Sequence, residues 1–178
     1  MATVRLVLCA LAALLIGGCA GADRDATPAA RAKTATTYGP DVVHPGGVQN
    51  VQFGDTMAQL EQRGEIVRDP GGCGPRLAGV PNASPVFANG RLVLVWAYLP
   101  LHTPEGIAVG SPVPTVRAAY PHLLPLTAPA GTYRFDGLMM VTGDRAYLFL
   151  HDGHTVQKLV VGYRAYAQRL FDDGFGTC

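Results

Sequence analysis

His151 and His154 bracket an Asp-Gly pair and form the one cluster in this 178-residue chain whose residue types could touch a metal. If Asp152-Gly153 centres a two-residue hairpin turn, the two imidazoles flank it as cross-strand neighbours on one face. Zinc takes three or four ligands, and the matching positions of an upstream repeat carry Ala88 and Arg91, so the pair is a weak candidate and no metal or cofactor is expected. Ser84 and Ser111 lack the G-x-S-x-G setting of an activated serine. The glycines at 71, 72 and 74 do not open a helix, so they make neither a phosphate loop nor a dinucleotide fingerprint. Acid, base and nucleophile candidates do not converge, and an enzyme is not expected. Rings are the other resource: Trp96, Tyr98, Tyr133, Phe135, Tyr147 and Phe149 all fall on expected strands. Most such rings form core, but any left on an uncovered sheet face supply rigid apolar area suited to a protein partner. Trp96, Tyr98, Tyr133, Phe135 and Tyr147 are the binding candidates.

The elements that would position these residues come as an internal repeat in two registers. Val51-Gln52-Phe53-Gly54-Asp55 lies 56 residues before Ile107-Ala108-Val109-Gly110-Ser111. Both read as a strand end, a glycine and a helix, with Asp55 and Ser111 as N-caps, Pro112 in the first turn, and Gly64 and Pro121 as stops. In the second register, of 63 residues, the stretch 86–93 matches 149–156, placing Asn89-Gly90 and Asp152-Gly153 as hairpin turns. Each unit is thus a helix followed by a β-hairpin, preceded by a further strand at 73–78 or 132–142. Alternation over Tyr133, Arg134, Phe135 and Asp136 fits a sheet with one covered side. The stretches 92–98 and 147–150 are apolar on both faces, as central strands are. Residues 164–171 could form a short closing helix.

The N-terminus carries a different signal. Arg5 precedes the apolar run 6–16, which is too short for a membrane span of roughly 20 residues. It ends in Ile16-Gly17-Gly18-Cys19, and the whole resembles a bacterial lipoprotein signal peptide. The resemblance implies cleavage after Gly18 and acylation of Cys19, with palmitate among the chains it would take, on the extracytoplasmic face of the cell membrane. Residues 19–47, rich in Ala, Thr, Pro and Gly, read as a disordered tether, and 48–178 as one repeat domain with units at about 48–103 and 104–178. Without Arg5 the basic and acidic residues balance at 13 each, which gives nucleic-acid binding no support. Of four cysteines, Cys9 lies in the removed segment and Cys19 would carry lipid, which leaves Cys73 and Cys178 to pair outside the cytoplasm. Closing a loop of roughly 105 residues would contribute about 4–5 kcal/mol in the chain-entropy model.

Two successive units of glycine, cap, helix and hairpin resemble the tandem repeats of the β-lactamase inhibitor protein family, and are similar to the outer-membrane assembly lipoproteins of the BamE kind. The resemblance implies an α+β fold with an antiparallel sheet, helices on one face and a concave face that binds proteins. The inhibitor family carries a disulfide within each repeat, whereas a Cys73–Cys178 bridge would span both, so no inhibitory residue carries over. The expected function is a membrane-anchored extracytoplasmic lipoprotein binding an envelope protein or a cell-wall component, the alternative being a small-molecule sensor or carrier domain.

Overall fold

The computed structural model describes residues 37–68, 74–132 and 134–174. The signal segment, Cys19, Cys73, Tyr133 and Cys178 lie outside the described residues. In chain order the elements are β1 (Val43–His44), β2 (Gly47–Val48), β3 (Val51–Gln52), α1 (Met57–Gln62), β4 (Ile66–Val67), β5 (Arg76–Leu77), β6 (Ala83–Ala88) and β7 (Arg91–Ala97). They continue with α2 (Val113–Ala119), β8 (Leu123–Leu126), β9 (Asp136–Thr142), β10 (Arg145–His151), β11 (Val156–Tyr163) and α3 (Arg164–Asp173). Six strands form the main antiparallel sheet in the order β6-β7-β11-β10-β9-β8, beside a three-stranded β1-β2-β3 sheet and a two-stranded β4-β5 sheet.

The expected α+β architecture with helices on one face is wrong. Strands account for 41% of the described residues and helices for 17%, in three short helices. At six and seven residues, α1 and α2 are barely two turns long and cannot form a layer. Nor is one face of the main sheet left bare. On one side Leu92, Val95, Leu138, Tyr147, Phe149, Leu159 and Val161 pack into a cluster with Val43, Val48 and Val51 of the small sheet, Leu60 of α1 and Val116 of α2. On the other, Leu94, Met139, Ala146, Leu148 and Val160 pack with Ala167, Leu170 and Phe171 of α3. The strands apolar on both faces, β7 and β10, occupy interior positions because each has an apolar layer on either side. The fold also begins before residue 48: Val43, in the segment expected as tether, is fully buried.

The repeat is visible in the hydrogen bonds. Gly54 N–H donates to the Leu92 carbonyl and Gly110 N–H to that of Val156; Leu92 N–H returns to Asp55 O and Val156 N–H to Ser111 O; Met57 N–H reaches Gly90 O and Val113 N–H reaches His154 O. Each hairpin tip is therefore clamped to the turn that opens its helix. These equivalences run at 64 residues in the hairpins, one more than the expected 63, because Leu92 matches Val156 and Gly90 matches His154. The bulges agree, falling at Val86/Phe87 and at Leu150/His151. In the centre of the sheet Val95 pairs with Val161 and Ala97 with Leu159, so the 64-residue shift carries one pair onto the other around Trp96–Val160. A local twofold axis relates the two hairpins there.

The expected N-caps are each one residue early. Thr56 caps α1 in a capping box: Gln59 N–H donates to Thr56 Oγ1 at 3.2 Å and Thr56 N–H to Gln59 Oε1 at 2.8 Å. Asp55 instead accepts from Gln52 N–H at 2.9 Å and pairs with Arg63 at 2.6 Å. Ser111 Oγ likewise accepts from Ala108 N–H, while Pro112 stands at the cap of α2. Both residues brace the turn before the helix. Thr56→Ala should lower stability by about 1 kcal/mol, read as a shift of the urea midpoint; no shift would mean that α1 gains nothing from its box.

Candidate functional site

The second hairpin decides the fate of the two histidines. In the first hairpin Ala88 pairs with Arg91 around Asn89 and Gly90, both at positive φ (50° and 71°), as a two-residue turn demands. The 64-residue equivalence puts Gly153 and His154, not Asp152 and Gly153, at the centre of the second. Asp152 caps this turn, its Oδ1 accepting from His154 and Thr155 N–H at 2.8 Å each, which holds its carboxyl below the usual range. His151 consequently pairs with Val156 while His154 stands at the tip. The two rings are not cross-strand neighbours, and the expectation that they share a metal loses its geometry. Among the described residues no group of three or more His, Cys, Asp or Glu comes together.

His151 has a structural task. It is buried, and its Nδ1 accepts from Gly153 N–H at 3.1 Å, so the ring must be neutral at that nitrogen. Burial lowers its pKa below 6.5; Arg117 lowers it further, and Asp136 and Asp152 oppose the shift. His44 behaves alike, with Nδ1 accepting from Gly46 N–H, the ring stacked 4.3 Å from Tyr38, and the pKa lowered by burial. Below pH 6.5 the unfolded chain binds protons that these folded rings resist, so stability present at pH 7 should be lost as pH falls below about 6.5. A urea midpoint lower at pH 5 than at pH 7.5 is the expected result, and His151→Gln should flatten the slope. An equal midpoint at both pH values would refute the assignment.

The rings separate into two groups. Tyr147 is 1% exposed and Phe149 fully buried, which removes Tyr147 from the binding candidates. Tyr147 lies 5.9 Å from Phe149 and 5.8 Å from Tyr120, its hydroxyl donates to Val43 O at 3.2 Å, and burial raises its pKa far above the tyrosine range. Tyr120, also raised by burial, donates to Glu105. On the opposite face α3 runs from the end of β11 toward β9, where a Cβ on Gly137 would lie 3.1 Å from the Phe171 ring. Outside its cover Trp96 and Phe135 stay half-buried. Between them stands exposed Lys158 on β11, its Nζ 5.6 Å from the Trp96 centroid and 5.9 Å from that of Phe135. Arg134 extends this edge, lying over Phe171 and donating to Asp172 O at 3.1 Å. Tyr98, half-exposed, belongs to the turn that follows β7.

The result is a cationic group framed by two ring faces, able to take an apolar or acidic side chain. Sequence reasoning passed over Lys158, although a charge beside the apolar run 159–161 was a signal, one of only two lysines among 14 basic residues. Ser84 is a strand residue paired with Trp96, and neither serine adjoins a described histidine by any hydrogen bond. A hollow of about 430 Å³ also opens at Tyr38, His44, Gln49 and Asn50, where the Gln49 amide already donates to Pro40 O and Gly79 O. Among the described residues no helix is long and apolar enough to cross a membrane. Compared with known protein families, curated proteins and solved structures, the chain shows no match.

Proposed function

We propose that this chain is a bacterial lipoprotein, anchored through acylated Cys19 on the extracytoplasmic face of the membrane, whose folded domain binds an envelope protein through Trp96, Phe135 and Lys158. The observation that carries the reading is the uncovered part of the α3-bearing sheet face, where two half-exposed rings flank an exposed ammonium. Such a patch suits a partner offering apolar and acidic side chains, since aromatic rings are enriched at interfaces and an exposed ammonium attracts a carboxylate. Binding rather than catalysis is further supported by what the polar side chains do. Asp55, Ser111, Asp152, His44 and His151 each hold a turn. A Cys73–Cys178 disulfide belongs to the same proposal, and two titratable thiols in the folded protein would remove it.

Lys33 and Lys158 are the only lysines, which makes the test selective. In a Lys33→Arg chain, an amine-reactive cross-linker applied to the native envelope can attach side chains only at Lys158. Capture of one abundant protein, weakened when Trp96→Ala is added with Lys158 kept, supports the reading. Capture undiminished by Trp96→Ala, or no capture at all from Lys158, places the contact elsewhere. The hollow beside Tyr38 favours a second reading, a small-molecule carrier, and ligand-dependent stabilisation abolished by His44→Ala would support it.

A further inference from the structure

Two of the most exposed large apolar side chains, Tyr98 at 51% and Leu99 at 61%, are adjacent in the turn that follows β7. The turn is closed by Leu101 N–H donating to Tyr98 O, and Leu101 itself is buried in the core, so Leu99 and Leu101 part company across two residues. No acidic or basic residue other than His102 occurs from Leu92 to Pro104. The location of this tip is informative. His102 N–H donates to Asp41 O and its carbonyl accepts from Val43 N–H, each at 2.9 Å. Leu99 and Tyr38 are each three residues from that pairing, or at most about 11 Å of chain. Tyr38 is itself 39% exposed. The apolar tip thus stands at the end of the domain where the chain arriving from Cys19 joins it.

We propose that the turn at residues 98–101 rests in the interfacial layer of the membrane and sets how the anchored domain faces the bilayer. The proposal rests on the acylated-Cys19 reading above. The about 18 residues from Cys19 to Thr37 span at most about 65 Å even fully extended, so the turn meets the surface at high effective concentration. A tyrosine ring suits the headgroup level and a leucine the acyl boundary below it. A convex tip of two side chains with no charge offers a protein partner little to grip, whereas a lipid surface asks only for apolar area. Seating the tip would hold the Trp96–Lys158 patch near the bilayer, where its partner would also have to be.

The test uses acylated full-length protein in vesicles of phosphatidylcholine and phosphatidylglycerol at 3:1, with acylation checked by mass and association by flotation. Trp96 is the single tryptophan, so Trp96→Phe with Leu99→Trp places the only indole at the tip. Expected are a blue-shifted emission and about two-fold quenching by lipids brominated near the headgroup, as for a residue at the interface. Unshifted, unquenched emission from vesicle-bound protein overturns the proposal and leaves the turn to a protein contact. If the chain carries no acyl group, the lipoprotein reading falls and the proposal with it, whereas an acylated, vesicle-bound chain whose indole stays unquenched overturns the proposal alone. Hydrogen exchange on the unaltered chain guards against a misfolded variant: the amides of Leu99, Leu101 and His102 should slow several-fold when vesicles bind, and unchanged exchange counts against the proposal.

Discussion

Gly162→Ala should cost the domain about 4 kcal/mol or more, a large share of the about 5–15 kcal/mol that an ordinary domain has. Gly162 sits in β11 opposite Leu94 of β7 with φ at +148°, a conformation that side-chain-bearing residues avoid. A Cβ there would lie 2.2 Å from the Val93 carbonyl oxygen and 2.9 Å from Leu94 Cα. Both obstacles are backbone of the neighbouring strand, so no rotamer change relieves the clash. The pairing that must open is also the only strand pairing joining the two repeats in the main sheet, since β7 belongs to the first and β11 to the second. Gly64→Ala is the control. It too has a positive φ, +71°, but a Cβ there meets nothing within 4 Å, and strain alone should cost about 1 kcal/mol. Urea unfolding of both variants separates clash from strain. Gly162→Ala behaving like Gly64→Ala would mean that β7 and β11 do not approach as described.

Trp96→Ala should weaken partner capture roughly 30-fold, about 2 kcal/mol, the scale of a buried aromatic anchor in an interface. Lys158→Glu should do at least as much, because it replaces the central ammonium with a charge that repels an acidic partner. Lys158 is exposed, so its reversal should leave the urea midpoint nearly unchanged. Phe149→Ala provides the contrast. Phe149 is fully buried, and its loss should cost about 3–5 kcal/mol of stability without acting on the interface directly. Quantitative co-purification of the partner, which needs no lysine, together with urea midpoints reads both axes. A Lys158→Glu protein that folds normally and captures its partner undiminished would overturn the assignment of the patch.

Local chemistry explains what could be read early. Asn89-Gly90 turns the first hairpin because both residues accept positive φ, and the turns before α1 and α2 were visible as a repeated apolar run ending in glycine. Errors of one residue arose where two side chains compete for one task. Asp55 and Thr56 can both cap, and Thr56 wins because Gln59 completes its box while Asp55 holds Gln52 and Arg63. Asp152-Gly153 and Gly153-His154 can both turn a hairpin, and the clamp of His154 O on Val113 N–H accompanies the second. That single residue separates a histidine pair facing one another from a buried His151 and an exposed His154.

By itself the sequence determined the first hairpin turn, the second to within one residue, and which strands are apolar on both faces, since each of these depends on neighbours a few residues apart. Which rings are exposed was a tertiary decision. Trp96, Tyr147 and Phe149 share the same local pattern, yet Tyr147 and Phe149 face the small sheet and α2 while Trp96 lies on the face that α3 covers only in part. Trp96 joins the face that α3 covers only because β7 pairs with β11, about 64 residues away in the chain, a contact that no local periodicity encodes.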